Sequence, residues 1–191
     1  MIDSFAHTSD PVPGELAAST AHAVLTAGRD DSGRFGSDVR PLIELADGVG
    51  IDTLATLWRP AAPGTLASSL WAMYLLRHWS HTAPREITLL WEAGLPSATP
   101  DAVVAGVGIH ADEQAIRQCA DSMLAGAFRG DFAVALERAA AFFRVIAAGR
   151  RTAASSEPET FVYASDFAGR NEEVAGALAR AAARWRAGSL A

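Results

Sequence analysis

The chain has 191 residues, half of them hydrophobic, with 16 basic and 22 acidic side chains and a net charge of −6. An acidic balance excludes the broad cationic footprint that phosphate backbones and anionic lipid surfaces require, so nucleic acid is a disfavoured partner. No window reaches the roughly 18 consecutive apolar residues of a membrane span, which excludes a helical membrane protein.

The single cysteine, Cys119, has no internal partner for a disulfide, and the opening residues Met1 to His7 lack the charged segment and apolar run of a secretory signal. The expected setting is therefore reducing and cytoplasmic. Every basic residue is arginine and lysine is absent. That uniformity reads as compositional bias, which weakens any argument from one arginine alone.

Residues 1–14, with Pro11, Pro13 and Gly14, read as an N-terminal arm, and residues 15–191 as one all-helical domain. Glu15 to Ala27 predicts a first helix with Leu16, Ala23, Val24 and Ala27 inward and Gly28 as its stop. Arg29 to Ser37 is a polar, glycine-rich loop. Asp38 to Gly48 predicts a second helix, and Asp52 or Thr53 would cap a short third one carrying Leu54, Leu57 and Trp58.

Pro60 and Pro63 stop that turn, and Thr65 is placed to cap the next helix, which is expected to run to about His81. From Leu66 to Leu76 it is apolar on nearly every face, the mark of a helix at the centre of a bundle. Thr82 and Pro84 open a following helix with Ile87, Leu90 and Trp91 inward, closing near Gly94. Thr99-Pro100-Asp101 reads as the capped start of a short buried helix ending near Ile109.

The pattern is strongest after Asp112, where Ile116, Cys119, Ala120, Met123, Leu124 and Ala127 recur at intervals of three and four. Gly130-Asp131 turns the chain into an antiparallel partner with Phe132, Leu136, Ala139, Ala140, Phe143 and Ile146 in a stripe, and Gly149 is read as its end. A polar loop from Arg150 leads to a short helix at 158–167. Asn171 then caps a last helix carrying Val174, Leu178, Ala181, Ala182 and Trp185.

Three constellations could carry chemistry. His78 and His81 stand at i and i+3, a spacing that lets two imidazoles meet one metal ion, with a third ligand to come from His110, Glu86, Glu92 or Asp112. Trp71, Trp79 and Trp91, close in sequence to Trp58, could line a ligand pocket together with the two histidines; tryptophan at helical spacing more commonly serves as core or subunit-interface anchor. Arg180 and Arg184, one turn apart, could hold an anion. Cys119 sits on an inward stripe and reads as an inert core thiol. Phosphate-loop, dinucleotide-binding and nucleophile-elbow motifs are absent.

The runs Leu57 to Leu66, Leu70-Trp71, Leu75 to Trp79 and Gly126 to Phe143 resemble a group of small uncharacterised helical proteins from high-GC bacteria. The resemblance implies no activity and supplies no catalytic residues. The expectation is an all-α single domain of seven to nine helices around the helix at 65–81. It is read first as a non-enzymatic interaction protein with no cofactor, self-associating as a homodimer and meeting a further protein partner. The alternatives are a small-molecule or metal-binding protein, or an enzyme, with a site near His78 and His81, and then an arginine-mediated nucleic-acid binder.

Overall fold

The structure, a computed structural model, describes residues 13–27, 39–108, 111–156 and 161–190, giving only the backbone of residues 156 and 161–165. Of the arm expected at 1–14, residues 1–12 lie outside the described residues, as do the loop at 29–37 and His110, while Pro13 and Gly14 belong to the first helix. Within them the fold is all-α, ten α-helices with no strand. They are α1 (Pro13–Ala27), α2 (Arg40–Ile43), α3 (Leu45–Val49), α4 (Ile51–Trp58), α5 (Leu66–Thr82), α6 (Pro84–Gly94), α7 (Thr99–Ala105), α8 (Glu113–Arg129), α9 (Phe132–Ser156) and α10 (Phe161–Arg186). The expected helix after Asp38 is split at Glu44 into α2 and α3; counted as one, the total is nine.

Local chemistry explains most of the boundaries. Thr65 caps α5 in a capping box, its hydroxyl accepting from the Ser68 amide at 3.3 Å while Ser68 Oγ accepts from the Thr65 amide at 3.1 Å. Asp112 caps α8 by accepting from the Ala115 amide at 2.7 Å. Pro84 stands in the first turn of α6, where its missing N–H costs nothing.

Other expected caps are corrected. Residue 50 is the N-cap of α4, a glycine at φ 86° without a side-chain bond, and Thr53 donates back to the Val49 carbonyl at 2.7 Å. Thr82 and Thr99 likewise donate to carbonyls of the preceding turn, His78 O at 2.9 Å and Leu95 O at 3.0 Å, and cap neither helix: the N-caps of α6 and α7 are Ala83 and Ala98, and Thr99 is the first residue of α7. A single turn of 3₁₀ helix at Leu95–Ser97 supplies that second carbonyl.

Three readings of helical faces and extents change. On α1 the buried stripe is Ala17, Ala21 and Leu25, with Leu16 exposed, because Thr20 on that face must reach the Trp58 indole, which donates to its hydroxyl at 3.0 Å. α7 buries Ala102 and Ala105 but leaves Val103 and Val104 75% and 52% exposed, so it is a surface helix. α9 runs through Gly149 to Ser156, and α10 through Asn171 without a break.

The core has two axes. α5 buries Leu66, Leu70, Met73, Tyr74 and Leu76 against α1, α4 and α8. α9 is buried on nearly all faces from Ala139 to Gly149 and receives α6, α7, α8 and α10 around it. Aromatic pairs join the layers: Trp58 with Tyr74 at 5.7 Å between centroids, Trp91 with Phe142 at 5.0 Å, and Phe132 with Trp185 at 4.9 Å.

Between α6 and α9 the backbones themselves touch. A Cβ on Gly149 would stand 1.9 Å from the Leu90 carbonyl oxygen, and one on Gly94 would stand 2.1 Å from that of Val145. Each glycine therefore admits the other helix's backbone, and Gly149 is a contact where the sequence suggested a stop.

Candidate functional site

On the other side of α9 the packing opens. A cavity of about 460 Å³ lies between α5, α9, α10 and the turn joining α4 to α5. α5 presents Ser68, Trp71, Ala72, Leu75, Leu76 and Trp79 to it, a single stripe at three- and four-residue intervals. α10 answers with Phe167, Asn171, Val174, Ala177 and Leu178 at the same intervals. Phe143 and Arg150 come from α9, and Trp58, Arg59, Ala61 and Pro63 from the end of α4 and the turn. The walls are mainly hydrocarbon and indole.

One end of this space is polar and tightly organised. Arg150 lays its guanidinium over the rings of Trp79 and Phe167, 5.3 Å from each centroid, and donates to Glu86 Oε1 at 3.3 Å. Glu86 Oε2 also accepts from the Trp79 indole at 3.4 Å, so one carboxylate fixes both partners. Arg170 stands over Phe167 at 5.4 Å.

The residues singled out by sequence separate into four environments. Trp71 and Trp79 are half-buried and line the cavity, with Trp58 at its buried floor. Trp91 is fully buried in the core against Phe142, away from the cavity. His81 stands 3.0 Å from Asp121 Oδ1 on α8, and half-buried His78 has no polar partner among the described residues. Neither histidine lines the cavity. Among the described residues no group of three or more His, Cys, Asp or Glu side chains gathers at one point. Arg180 is exposed, while Arg184 donates to the carbonyls of Gly64 and Ser189, both at 3.2 Å.

Two arrangements escaped the sequence. Arg77 is 8% exposed and bridges Asp47 on α3, at 3.0 Å, and Asp121 on α8, at 2.8 Å. Its guanidinium pKa is raised: burial opposes the charge, and the two carboxylates outweigh burial. The signal was available, since an arginine inside an all-round apolar helix has to be paired. Asn171 was the second. Read as a cap, it lies mid-helix and faces the cavity.

The Cys119 thiol is buried, donates to the Ala105 carbonyl at 3.5 Å, and has its pKa pushed up to about 11 by burial, against the lowering effect of Arg138. It is protonated at neutral pH. Among the described residues the cavity lining contains neither histidine nor cysteine, and Glu173 is the sole acid there. These lining residues include no nucleophile-and-base pair of the kind covalent catalysis uses.

Comparison with protein-family models, curated proteins and solved structures finds no match for the chain. What fold and site define is a class: an all-helical bundle with a tryptophan-lined cavity that opens to solvent at its edge. No helix among the described residues is long and apolar enough to cross a membrane.

Proposed function

We propose that the protein is a non-catalytic small-molecule binder that takes an apolar, partly aromatic ligand between α5, α9 and α10. The observation that carries this reading is the cavity of about 460 Å³ with Trp58, Trp71, Trp79, Phe143 and Phe167 in its walls. A volume in the range of ligand sites, apolar walls and a few placed polar groups are the ordinary form of such a site. The site lies beside the α5 aromatics marked in the sequence and away from both histidines.

The neutral dye N-phenyl-1-naphthylamine tests the reading, because its emission rises on entering an apolar site. Saturable one-to-one binding is expected. Ala177, half-buried in the wall, gives the control: Ala177→Trp fills the space and should abolish binding while leaving the thermal unfolding midpoint within a few degrees. Absence of saturable binding, or equal binding by Ala177→Trp, overturns the proposal.

Self-association is a second reading, supported by the exposed pair Val103 and Val104 on α7, with Leu89 of α6 58% exposed as well. The cytoplasmic setting belongs with these proposals. Light scattering should give twice the 20.0 kDa chain mass, reverting to one chain in Val103→Glu/Val104→Glu. A single-chain mass at every concentration removes this reading.

A further inference from the structure

The cavity is a slot whose long walls are two helices. Its α5 wall runs from Ser68 to Trp79 and its α10 wall from Phe167 to Leu178, eleven residue steps each, or about 16 Å at the helical rise of about 1.5 Å per residue. The walls run antiparallel and meet at both ends. At one end Arg150 of α9 lies 5.3 Å from the ring of Trp79 on α5 and 5.3 Å from that of Phe167 on α10, which bridges them. At the other, the turn before α5 meets the far part of α10: Gly64 O accepts from Arg184 at 3.2 Å, and a Cβ on Gly64 would stand 3.8 Å from the Ala177 carbonyl.

Between those ends Phe143 of α9 lines the space, and one side is open to solvent, with Leu75 41% and Phe167 46% exposed. A compact molecule leaves much of such a length unfilled. An extended chain of about 13 bonds spans it, at roughly 1.2 Å per bond. Each methylene along the way then meets hydrocarbon or indole.

The open side favours one sign of charge. Its exposed charged residues are Arg59, Arg170 and Glu173. Glu173 follows Arg170 by one turn of α10, so those two charges lie within reach of each other. Arg59, at the end of α4, has neither an ion pair nor a ring contact among the described residues. An exposed arginine that nothing holds can turn its guanidinium to an anion arriving at that end of the slot.

Resting on the cavity being a ligand site, we infer that its ligand is a slender, unbranched anionic amphiphile of about twelve carbons, its alkyl or arylalkyl body laid along α5 and α10 towards Arg150 and its head at the solvent edge beside Arg59.

Displacement of N-phenyl-1-naphthylamine by straight-chain alkanoates, kept below the concentrations at which they form micelles, tests the extended chain. From octanoate to dodecanoate the displacing concentration should fall about threefold per added methylene. Beyond dodecanoate the gain should stop, because the chain end meets Arg150, Trp79 and Phe167. Phe167→Ala and Trp79→Ala each take a ring from that end and should move the break to longer chains. Phe167 is half exposed, so its variant serves if Trp79→Ala folds poorly. Dodecanoate against dodecyltrimethylammonium reads the head. Although the chain carries a net charge of −6, the anion should win by about fivefold or more at low salt, a margin that Arg59→Gln and raised salt both shrink.

An even gain through hexadecanoate, a break that neither variant moves, or bound dye that no alkanoate displaces overturns the extended chain and leaves the cavity reading standing. A cation that binds as well as the anion, or a margin untouched by Arg59→Gln, overturns the head. No dye binding at all removes both the amphiphile and the cavity reading.

Discussion

The two flanks of α9 are packed in opposite ways. Towards α6, glycine faces backbone: Gly149 meets the Leu90 carbonyl and Gly94 meets that of Val145, leaving no room for a methyl group. Towards α5 and α10, Phe143, Trp71 and Trp79 hold the helices apart around about 460 Å³. Side-chain size at a few positions decides which seam closes and which stays open. The closed seam brings two backbones into contact, and the open one leaves a cavity between side chains.

Breaking the closed seam should have the largest effect. Gly149→Ala adds one methyl group and would gain about 1 kcal/mol in helix propensity were the site open. Against a backbone oxygen at 1.9 Å it should instead lose about 3 kcal/mol or more, read as a lowered denaturant midpoint. The far bulkier Ala177→Trp, on the open seam, should leave stability nearly intact. If Gly149→Ala proves neutral, the contrast between the seams is lost.

A smaller effect comes from the exclusion of water around Cys119, buried on α8 against the Ala105 carbonyl at the end of α7. Its folded pKa of about 11 lies above the value of about 8.5 for a free thiol, so the folded state holds its proton where the unfolded chain releases it. The stability it contributes is complete below about pH 8.5 and is lost as pH climbs towards 11, on the order of 2–3 kcal/mol by pH 10.5. Thermal unfolding across that range should show the decline, and Cys119→Ala should flatten it. A residual fall should persist at higher pH from Tyr74, whose phenol is also raised by burial, with Arg77 pulling the other way. An unchanged slope in Cys119→Ala would exclude the thiol as its source.

How much of this was readable depends on whether the signal was local. The α8 stripe from Ile116 to Ala127 was read correctly because burial there follows a single period, and Thr65 because a cap is satisfied within its own turn. Gly149 was misread because a helix stop and a close approach both call for a missing Cβ, and the Leu90 carbonyl that decides between them is 59 residues earlier in the chain. Asn171 followed the same logic: before Glu172-Glu173 it looks like a cap, and only the packing of α10 on α9 keeps the helix continuous through it. Trp71 and Trp91 could not be told apart by composition. One faces the cavity and the other stacks on Phe142, a difference set by which helix lies opposite.

The pairing of Arg184 with the Gly64 carbonyl spans 120 residues and pins the end of α10 beside the turn that opens α5. Synthesis proceeds from the N-terminus, and α10 supplies one wall of the cavity, so the tryptophan face of α5 is already made and still uncovered while α6 to α9 are being translated. That face is thus, for that interval, an uncovered aromatic surface on the nascent chain, and the last helix to emerge both shields it and completes the cavity.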